Sequence, residues 1–328
     1  MTDESANRHG ETQGCLAKPG RTRITVMRGG PSAEREVSLR SGRAVAEALR
    51  GLGHAVEELD PVNDAWRLAE GTEVVFLALH GTYGEDGTVQ RKLESYGVAY
   101  TGCDAEASRL AFDKVLTKQR CLAAGIPTPQ FTVLRAPTAV WPAGWRPPVV
   151  LKPVRQGSSV GLELVERPEE LEAALGRSLR FDTEVLMEER VVGREATVGI
   201  LEGRALPVIE VCPKHGAFDY HNKYTSHATD FFLPARFEPA VAARAQQAAL
   251  GAFRAVGGRD YARVDVMVRP GGEPTVLEIN TLPGMTALSL LPKAAAAVGY
   301  SFPALCQKMV DLALQHGPAR AGAGRFRV

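Results

Sequence analysis

Four residues on two short alternating runs could hold a cation and stabilise negative charge. The runs are Ala262–Val268 (ARVDVMV) and Thr275–Asn280 (TVLEIN). In an extended strand, residues two apart share a face. Arg263 and Asp265 therefore share a face, as do Glu278 and Asn280, while Val264, Val266 and Val268, with Leu277 and Ile279, form an apolar back. Pro270-Gly271-Gly272-Glu273-Pro274 between the runs has the composition of a turn. Side by side, the runs would pool two carboxylates, an amide oxygen and a guanidinium. Hard oxygens in that number suit Mg²⁺, which keeps waters and substrate phosphates in its other positions. An adjacent arginine can stabilise charge as it develops. The competing reading is an amphipathic hairpin with a solvated polar face. In the residues that follow, Pro283-Gly284 is a turn that would expose a backbone N–H. Ser289 lies near the start of the last helical region. A serine and open N–H groups there would bind a carboxylate, or the serine caps the helix.

The elements that must position these groups fit an α/β chain of 328 residues, long enough for two or three domains. Hydrophobic residues make up 45% and charged residues 23%, ordinary globular values that allow large cores. The net charge of +1 steers nothing towards nucleic acid or an anionic membrane. The five cysteines are scattered, with no C-x-x-C pair, which argues against a disulfide framework or zinc site and suits a reducing cytoplasm. No apolar run is long enough to span a membrane, and the first twenty residues lack the apolar core of a secretory signal. Residues 1–20 read as a disordered extension and 317–328 as a flexible tail.

Arg23–Met27, Gly29-Gly30 and a helical pattern to Leu52 open a doubly wound unit without the G-x-G-x-x-G spacing. Glu34 is either a helix-start acid or a carboxylate for a cationic substrate group. Glu73–Leu79 is a buried parallel strand ending in His80-Gly81, where α/β proteins place ligands. His80 is a site residue or a structural histidine that bonds a loop carboxylate. Pro148–Pro153 is a strand carrying Lys152, followed by Gln156-Gly157-Ser158-Ser159-Val160-Gly161. Small residues there would let N–H groups approach an anion, or the segment is an ordinary hairpin turn. Glu184–Glu189 is a strand whose acidic end, with Glu188, could hold an adenine amine and a ribose, or is simply exposed. The loop Phe218–Ser226 mixes aromatic and polar residues as lids do.

Seven segments in order resemble the ATP-grasp carboxylate–amine ligases, and within them the D-alanine–D-alanine ligase family. They are Gly29–Ser38 (GGPSAEREVS), Leu79–Gln90 (LHGTYGEDGTVQ), Phe112–Lys114, Leu151–Gly161 (LKPVRQGSSVG), Asp219–Tyr224, Ala262–Val266 and Leu277–Thr286 (LEINTLPGMT). The resemblance implies a three-domain α/β ATP-grasp architecture with an N-terminal doubly wound parallel sheet. The domains would span 21–112, 113–203 (central) and 204–316 (C-terminal). It implies ATP and two Mg²⁺ (Mn²⁺ as a substitute), with Asp265, Glu278 and Asn280 as metal ligands. Lys114, Lys152 and Lys223 would touch phosphates, beneath Gly157 and Ser159 of the flap. Glu188 and the backbone near Val191 would hold the adenine, and Glu195 the ribose. Glu34, oriented by Ser158 and Tyr224, would pair with the ammonium of the first D-alanine. Ser289 and the Leu290 N–H would hold the carboxylate of the second. His80 would sit near the substrates, and Arg263 with the Gly284 N–H would form an oxyanion site.

The implied activity joins two D-alanines through an acyl phosphate, for peptidoglycan precursors, in a cytoplasmic homodimer with no nucleic-acid or membrane partner. D-alanine–D-lactate and D-alanine–D-serine ligases and a non-catalytic ATP-binding relative are the alternatives. Relatives that join a hydroxy acid generally lose the lid lysine–tyrosine pair, which is intact here as Lys223-Tyr224. Two positions depart from the family pattern: Glu189 stands where lysine is usual, and Gln156 where an acid is common.

Overall fold

A computed structural model describes residues 20–214 and 229–317. Residues 1–19, the lid segment with Lys223 and Tyr224, and residues 318–328 lie outside the described residues. Strands β1 (Arg23–Met27), β2 (Ala55–Leu59), β3 (Val74–Leu77) and β4 (Ala99–Tyr100) form a parallel sheet in the order β2-β1-β3-β4. Both faces are covered at the inner strands β1 and β3, which is why these are nearly all apolar, whereas the edge strand β2 (AVEEL) carries two glutamates. Ile24, Val26, Val74 and Phe76 share one core with Val45 and Leu49 of helix α1 (Arg35–Gly51). Met27, Val75 and Leu77 share another with Val89 and Leu93 of α2 (Thr88–Tyr96). The first of these cores also takes in Leu305, Cys306 and Met309 of the last helix, Phe302–His316. The chain's end thus returns to cover the N-terminal sheet.

Helices α3 (Ala105–Phe112) and α4 (Lys114–Ala123) follow. Asp113 separates them: its carboxylate accepts from the Val115 and Leu116 N–H groups, both at 3.0 Å, and so caps α4. Lys114 is thereby fixed in the first turn. The central sheet is antiparallel, in the order β5 (Phe131–Leu134), β8 (Val185–Glu189), β6 (Val149–Pro153), β7 (Glu163–Val165), with α5 (Leu171–Ser178) packed on it.

The large sheet runs β12 (Thr229–Phe232), β11 (Ile209–Pro213), β9 (Arg194–Leu201), β13 (Tyr261–Val268), β14 (Pro274–Asn280), with β10 (Arg204–Ala205) beside β9. Helices α6 (Pro239–Ala255), α7 (Leu290–Ala296) and α8 (Phe302–His316) complete the fold. The expected division near residue 203 is displaced. Strand β9 pairs with β13 along its whole length, from Arg194↔Val268 to Leu201↔Tyr261. Its inward residues Ala196, Val198 and Ile200 share a core with Val264 and Val266, so the break between sheets falls between β8 and β9.

The organising hairpin forms as expected, with Asp265 opposite Glu278 and Arg263 opposite Asn280. One detail differs. The register shifts after Asp265, so that Val266 faces Val276 and Leu277 is the extra residue of a bulge. Leu277 therefore leaves the apolar back and lines a cavity, while Ile279 stays in the core.

Candidate active site

Two cavities of about 660 and 680 Å³ open on the polar face of this hairpin. They share Lys114, Gln156 and Glu278. The first lies between the N-terminal sheet and α7, and the second between the central and large sheets.

The hairpin supplies the shared wall. Asp265 is buried, accepts from Thr197 Oγ1 at 2.6 Å, and takes a two-point bond from Arg263 (Nε 2.9 Å, Nη2 3.0 Å). Asn280 Oδ1 is buried and has no hydrogen-bond partner. An orphaned amide oxygen costs stability unless something occupies it, and here two carboxylates flank it on the same face. That donor set fits a hard divalent cation. Among the described residues no cluster of three or more His, Cys, Asp or Glu side chains could hold a metal. The site would therefore rest on two carboxylates and an amide, with the remaining ligands from bound substrate.

The first cavity holds Glu34, His80, Ser158, Arg263, Gly284, Ser289 and Leu290. Glu34 immediately precedes α1, makes no side-chain cap bond to it, and is approached from three sides. Ser158 Oγ donates to Glu34 Oε1 across 124 residues of sequence. Gly157 lies so close that a Cβ there would sit 2.7 Å from Glu34 Oε2. Gly81, at φ +69°, makes the same approach from the end of β3, also at 2.7 Å. A side chain at either glycine would push the Glu34 carboxylate from this position. Ser289 precedes α7 but makes no side-chain cap bond to it; its Oγ accepts from the Thr286 N–H at 3.1 Å. Leu290 begins α7 beside it.

His80 is buried with both ring nitrogens engaged. Nδ1 lies 2.9 Å from the Leu282 carbonyl, which can only accept, so Nδ1 carries the proton. Nε2 is hydrogen-bonded to Ser41 Oγ at 3.1 Å. Glu85 approaches Nδ1 at 3.6 Å. Burial pushes the Glu85 carboxyl above the usual carboxylate range, and the charge of Glu34 adds to the rise.

The second cavity holds Lys152, Ser159, Glu188, Val191, Glu195 and Asp265. Glu188, buried at the end of β8, lies between Lys118 Nζ (2.5 Å) and Lys152 Nζ (2.7 Å). Burial pushes the Glu188 carboxyl up, but the two ammonium groups outweigh it and leave it below its ordinary range. Lys118 is also held by Thr128 Oγ1 at 2.8 Å. Lys114 Nζ donates to the Gln156 carbonyl and so ties α4 to the glycine-rich loop. The far wall carries Glu210, which bonds Arg194 and Arg236 at 2.9 Å each.

The two departures have local explanations. Gln156 Nε2 donates to the Phe181 carbonyl at 3.0 Å, a bond an ionised acid could not make. Glu189 pairs with Arg269 Nη2 at 2.7 Å, so its charge is answered by a residue of the large sheet.

Ser41, Lys118 and Glu210 escaped sequence reasoning. Two had a faint signal. Lys118 lies four residues after Lys114, on the same side of α4, and Ser41 lies two turns after Glu34 on α1. Glu210 had none, because its partners come from other strands and loops.

The chain was compared with known proteins. The D-ala D-ala ligase N-terminus model matches residues 53–103, and the C-terminus model residues 122–311. The D-alanine–D-alanine ligase of Methylacidiphilum infernorum is 45% identical over 289 residues, covering 88% of this chain and 94% of the relative. That of Syntrophotalea carbinolica is 46% identical over 292 residues, covering 88% and 95%. The Bacillus anthracis D-alanine–D-alanine ligase solved with ATP matches at a TM-score of 0.79 and 32% identity, covering 90% of this chain and 98% of that one. The VanG D-Ala:D-Ser ligase of Enterococcus faecalis matches at 0.78 and 29%, covering 89% and 99%. With both halves of the family model matched in order and relatives this similar along most of their length, the chain belongs to the D-alanine–D-alanine ligase family.

Proposed function

We propose that this protein joins two D-alanine molecules at the expense of ATP, for peptidoglycan precursors. The observation that carries the reading is the meeting of the two cavities at Lys114, Gln156 and Glu278, beside Asp265 and Asn280. One cavity can take a nucleotide and the other two small amino acids, with the reacting phosphate where they join.

In this reading the adenosine lies against Glu188, Val191 and Glu195, and the phosphates run past Lys152 and Ser159 towards Lys114. Lys223 would add to them from the lid. Glu34, oriented by Ser158 and Tyr224, pairs with the ammonium of the first D-alanine and leaves its carboxylate facing the γ-phosphate. Attack by that carboxylate gives an acyl phosphate and ADP. The amine of the second D-alanine, whose carboxylate sits at Ser289 and the Leu290 N–H, attacks the acyl carbon. Arg263 and the Gly284 N–H stabilise the oxyanion, phosphate leaves and the dipeptide remains. Donors of that kind contribute roughly 3 kcal/mol each. Asp265, Glu278 and Asn280 would hold Mg²⁺, or Mn²⁺ in its place, which supplies charge neutralisation for the phosphates. Positioning does most of the rest.

The likeness to VanG supports a second reading, in which the second substrate is D-serine. Product analysis with ATP, D-alanine and competing D-serine or D-lactate at neutral pH tests both. D-alanyl-D-alanine as the main product is expected, and a mixed dipeptide or depsipeptide in its place would overturn the assignment. A homodimer and a cytoplasmic location complete the proposal, carried over from the family. No described helix is long and apolar enough to cross a membrane.

A further inference from the structure

The segment Thr281–Ser289 belongs to the large sheet by sequence, yet the N-terminal domain holds it. Leu282 packs in the core with Met27, Leu77 and Leu79 on one face of the N-terminal sheet. Met285 packs in the core with Ile24, Val26 and Phe76 on the opposite face. Only Pro283 and Gly284 lie between these two apolar plugs. The polar contacts repeat the pattern. The Met285 N–H donates to Ser41 Oγ at 3.2 Å, Ser41 Oγ and His80 Nε2 share a hydrogen bond at 3.1 Å, and His80 Nδ1 donates to the Leu282 carbonyl at 2.9 Å. Ser41 is fully buried and His80 is 5% exposed, so water does not compete for these bonds.

The direction of the two outer bonds is fixed. A carbonyl cannot donate and a backbone N–H cannot accept, so His80 Nδ1 donates to Leu282 and Ser41 Oγ accepts from Met285. The bond between Ser41 Oγ and His80 Nε2 joins these two ends. The closed circuit runs from one side of Gly284 to the other through α1 and the end of β3. Gly284 itself lines the first cavity.

From this geometry we propose that Ser41 and His80 are positioning residues that clamp the loop on both sides of Gly284 and so aim its N–H at the oxyanion. The clamp rests on the ligase reading for its catalytic consequence and on the geometry alone for its existence. An oxyanion donor works only when held in place before charge develops. A loosened donor would slow attack by the amine, and the acyl phosphate would be lost to water instead. In that loss water attacks phosphorus, the bond from phosphorus to the acyl oxygen breaks, and D-alanine and phosphate are released by a route that develops no oxyanion at Gly284. ATP would then be consumed without equal dipeptide.

Two measurements on Ser41→Ala separate these claims. Amide hydrogen exchange at residues 282–286 should speed up by roughly tenfold, the worth of one buried hydrogen bond. Unchanged exchange would overturn the clamp, whatever the protein catalyses. Phosphate and dipeptide should fall out of their one-to-one ratio, with phosphate in excess by about twofold or more and the KM for ATP little changed. A ratio still at one-to-one would overturn the catalytic role. Wild-type protein that releases no dipeptide would refute the ligase reading itself, and the exchange result would still decide the clamp. His80→Asn is the second variant, since its amide N–H can replace Nδ1–H towards Leu282 while losing the Nε2 contact with Ser41. It should speed exchange of the Met285 N–H relative to wild type, and an unchanged rate there would count against the circuit.

Discussion

The two cavities are nearly equal in size and are held open by different means. The wall of the second is ionic. Lys118, Glu188 and Lys152 form one buried cluster, and buried Glu210 pairs with the half-exposed Arg194 and Arg236. The first is shaped by single hydrogen bonds and close backbone approaches between separate elements: Ser158 to the Glu34 carboxylate, Ser41 to Met285, and His80 to Leu282. A buried cluster of charges fixes a surface that meets a highly charged ligand, at a heavy desolvation cost that only mutual pairing offsets. A hydrogen-bond network owes its accuracy to the directionality of its bonds. The second cavity therefore suits electrostatic capture of a polyphosphate, and the first suits alignment of small reactants.

The contrast is sharpest at Arg263, the one guanidinium that faces the first cavity from the hairpin. Arg263→Ala should lower turnover by roughly a hundredfold or more, the cost of one oxyanion donor. ATP affinity, measured by calorimetry, should change by no more than a few fold, since the pocket that lodges the nucleotide keeps its lysines. Undiminished turnover would remove Arg263 from the chemistry. An equal collapse of ATP binding would erase the distinction between the cavities.

Lys118 tests the ionic side. It is 1% exposed and lines neither cavity itself, yet it shares the charge of Glu188, which lines the second. Burial pushes the Lys118 ammonium down in pKa, against the attraction of Glu188. Lys118→Met would leave Glu188 with Lys152 alone and draw Lys152 away from a bound phosphate. A loss of about 2–3 kcal/mol in denaturant unfolding is expected, at the low end for breaking a buried pair because one partner remains. The KM for ATP should rise while the phosphate-to-dipeptide ratio stays at one. A shifted ratio with unaltered ATP binding would assign Lys118 to the wrong cavity.

Much of the hairpin was legible in advance because alternation is local. A period of two in Ala262–Val268 fixes which side chains share a face wherever the strand is placed. Lys152 could be read on its strand from a short apolar run, which is likewise local. Other features depend on partners far along the chain. The bulge at Leu277 is a property of pairing, and nothing within the strand shows where the register slips. The assignment of β9 depended on which of two sheets it joins, and its alternating apolar residues suit either. Ser41 and Met285 are 244 residues apart, so a serine inside an amphipathic helix reads only as a tolerated polar residue. Lys118 in a helix reads as a solvated charge until the strand carrying Glu188 is laid over it. The resemblance supplied the candidate site residues, Ser158 beside Glu34 among them, and it was silent on Ser41, Lys118 and Glu210.

The smallest expected effect lies at the far wall of the second cavity. Glu210 is 2% exposed, and although burial pushes its carboxyl up, the bonds from Arg236 and Arg194 hold it down at about 2, against an ordinary value of 4.5. A carboxyl whose folded-state value is depressed stabilises the protein above its unfolded value and loses that contribution as pH falls towards the folded value. Both arginines are about half exposed, 48% and 55%, so solvent screening leaves on the order of 1–2 kcal/mol. Glu210→Gln keeps the shape and removes the charge. The gap in Tm between wild type and Glu210→Gln should be full at pH 7 and should close as pH is lowered from 4.5 to 2. A gap that stays constant over that window would mean that this wall is held by packing, and that the ionic character of the second cavity is confined to the cluster around Glu188.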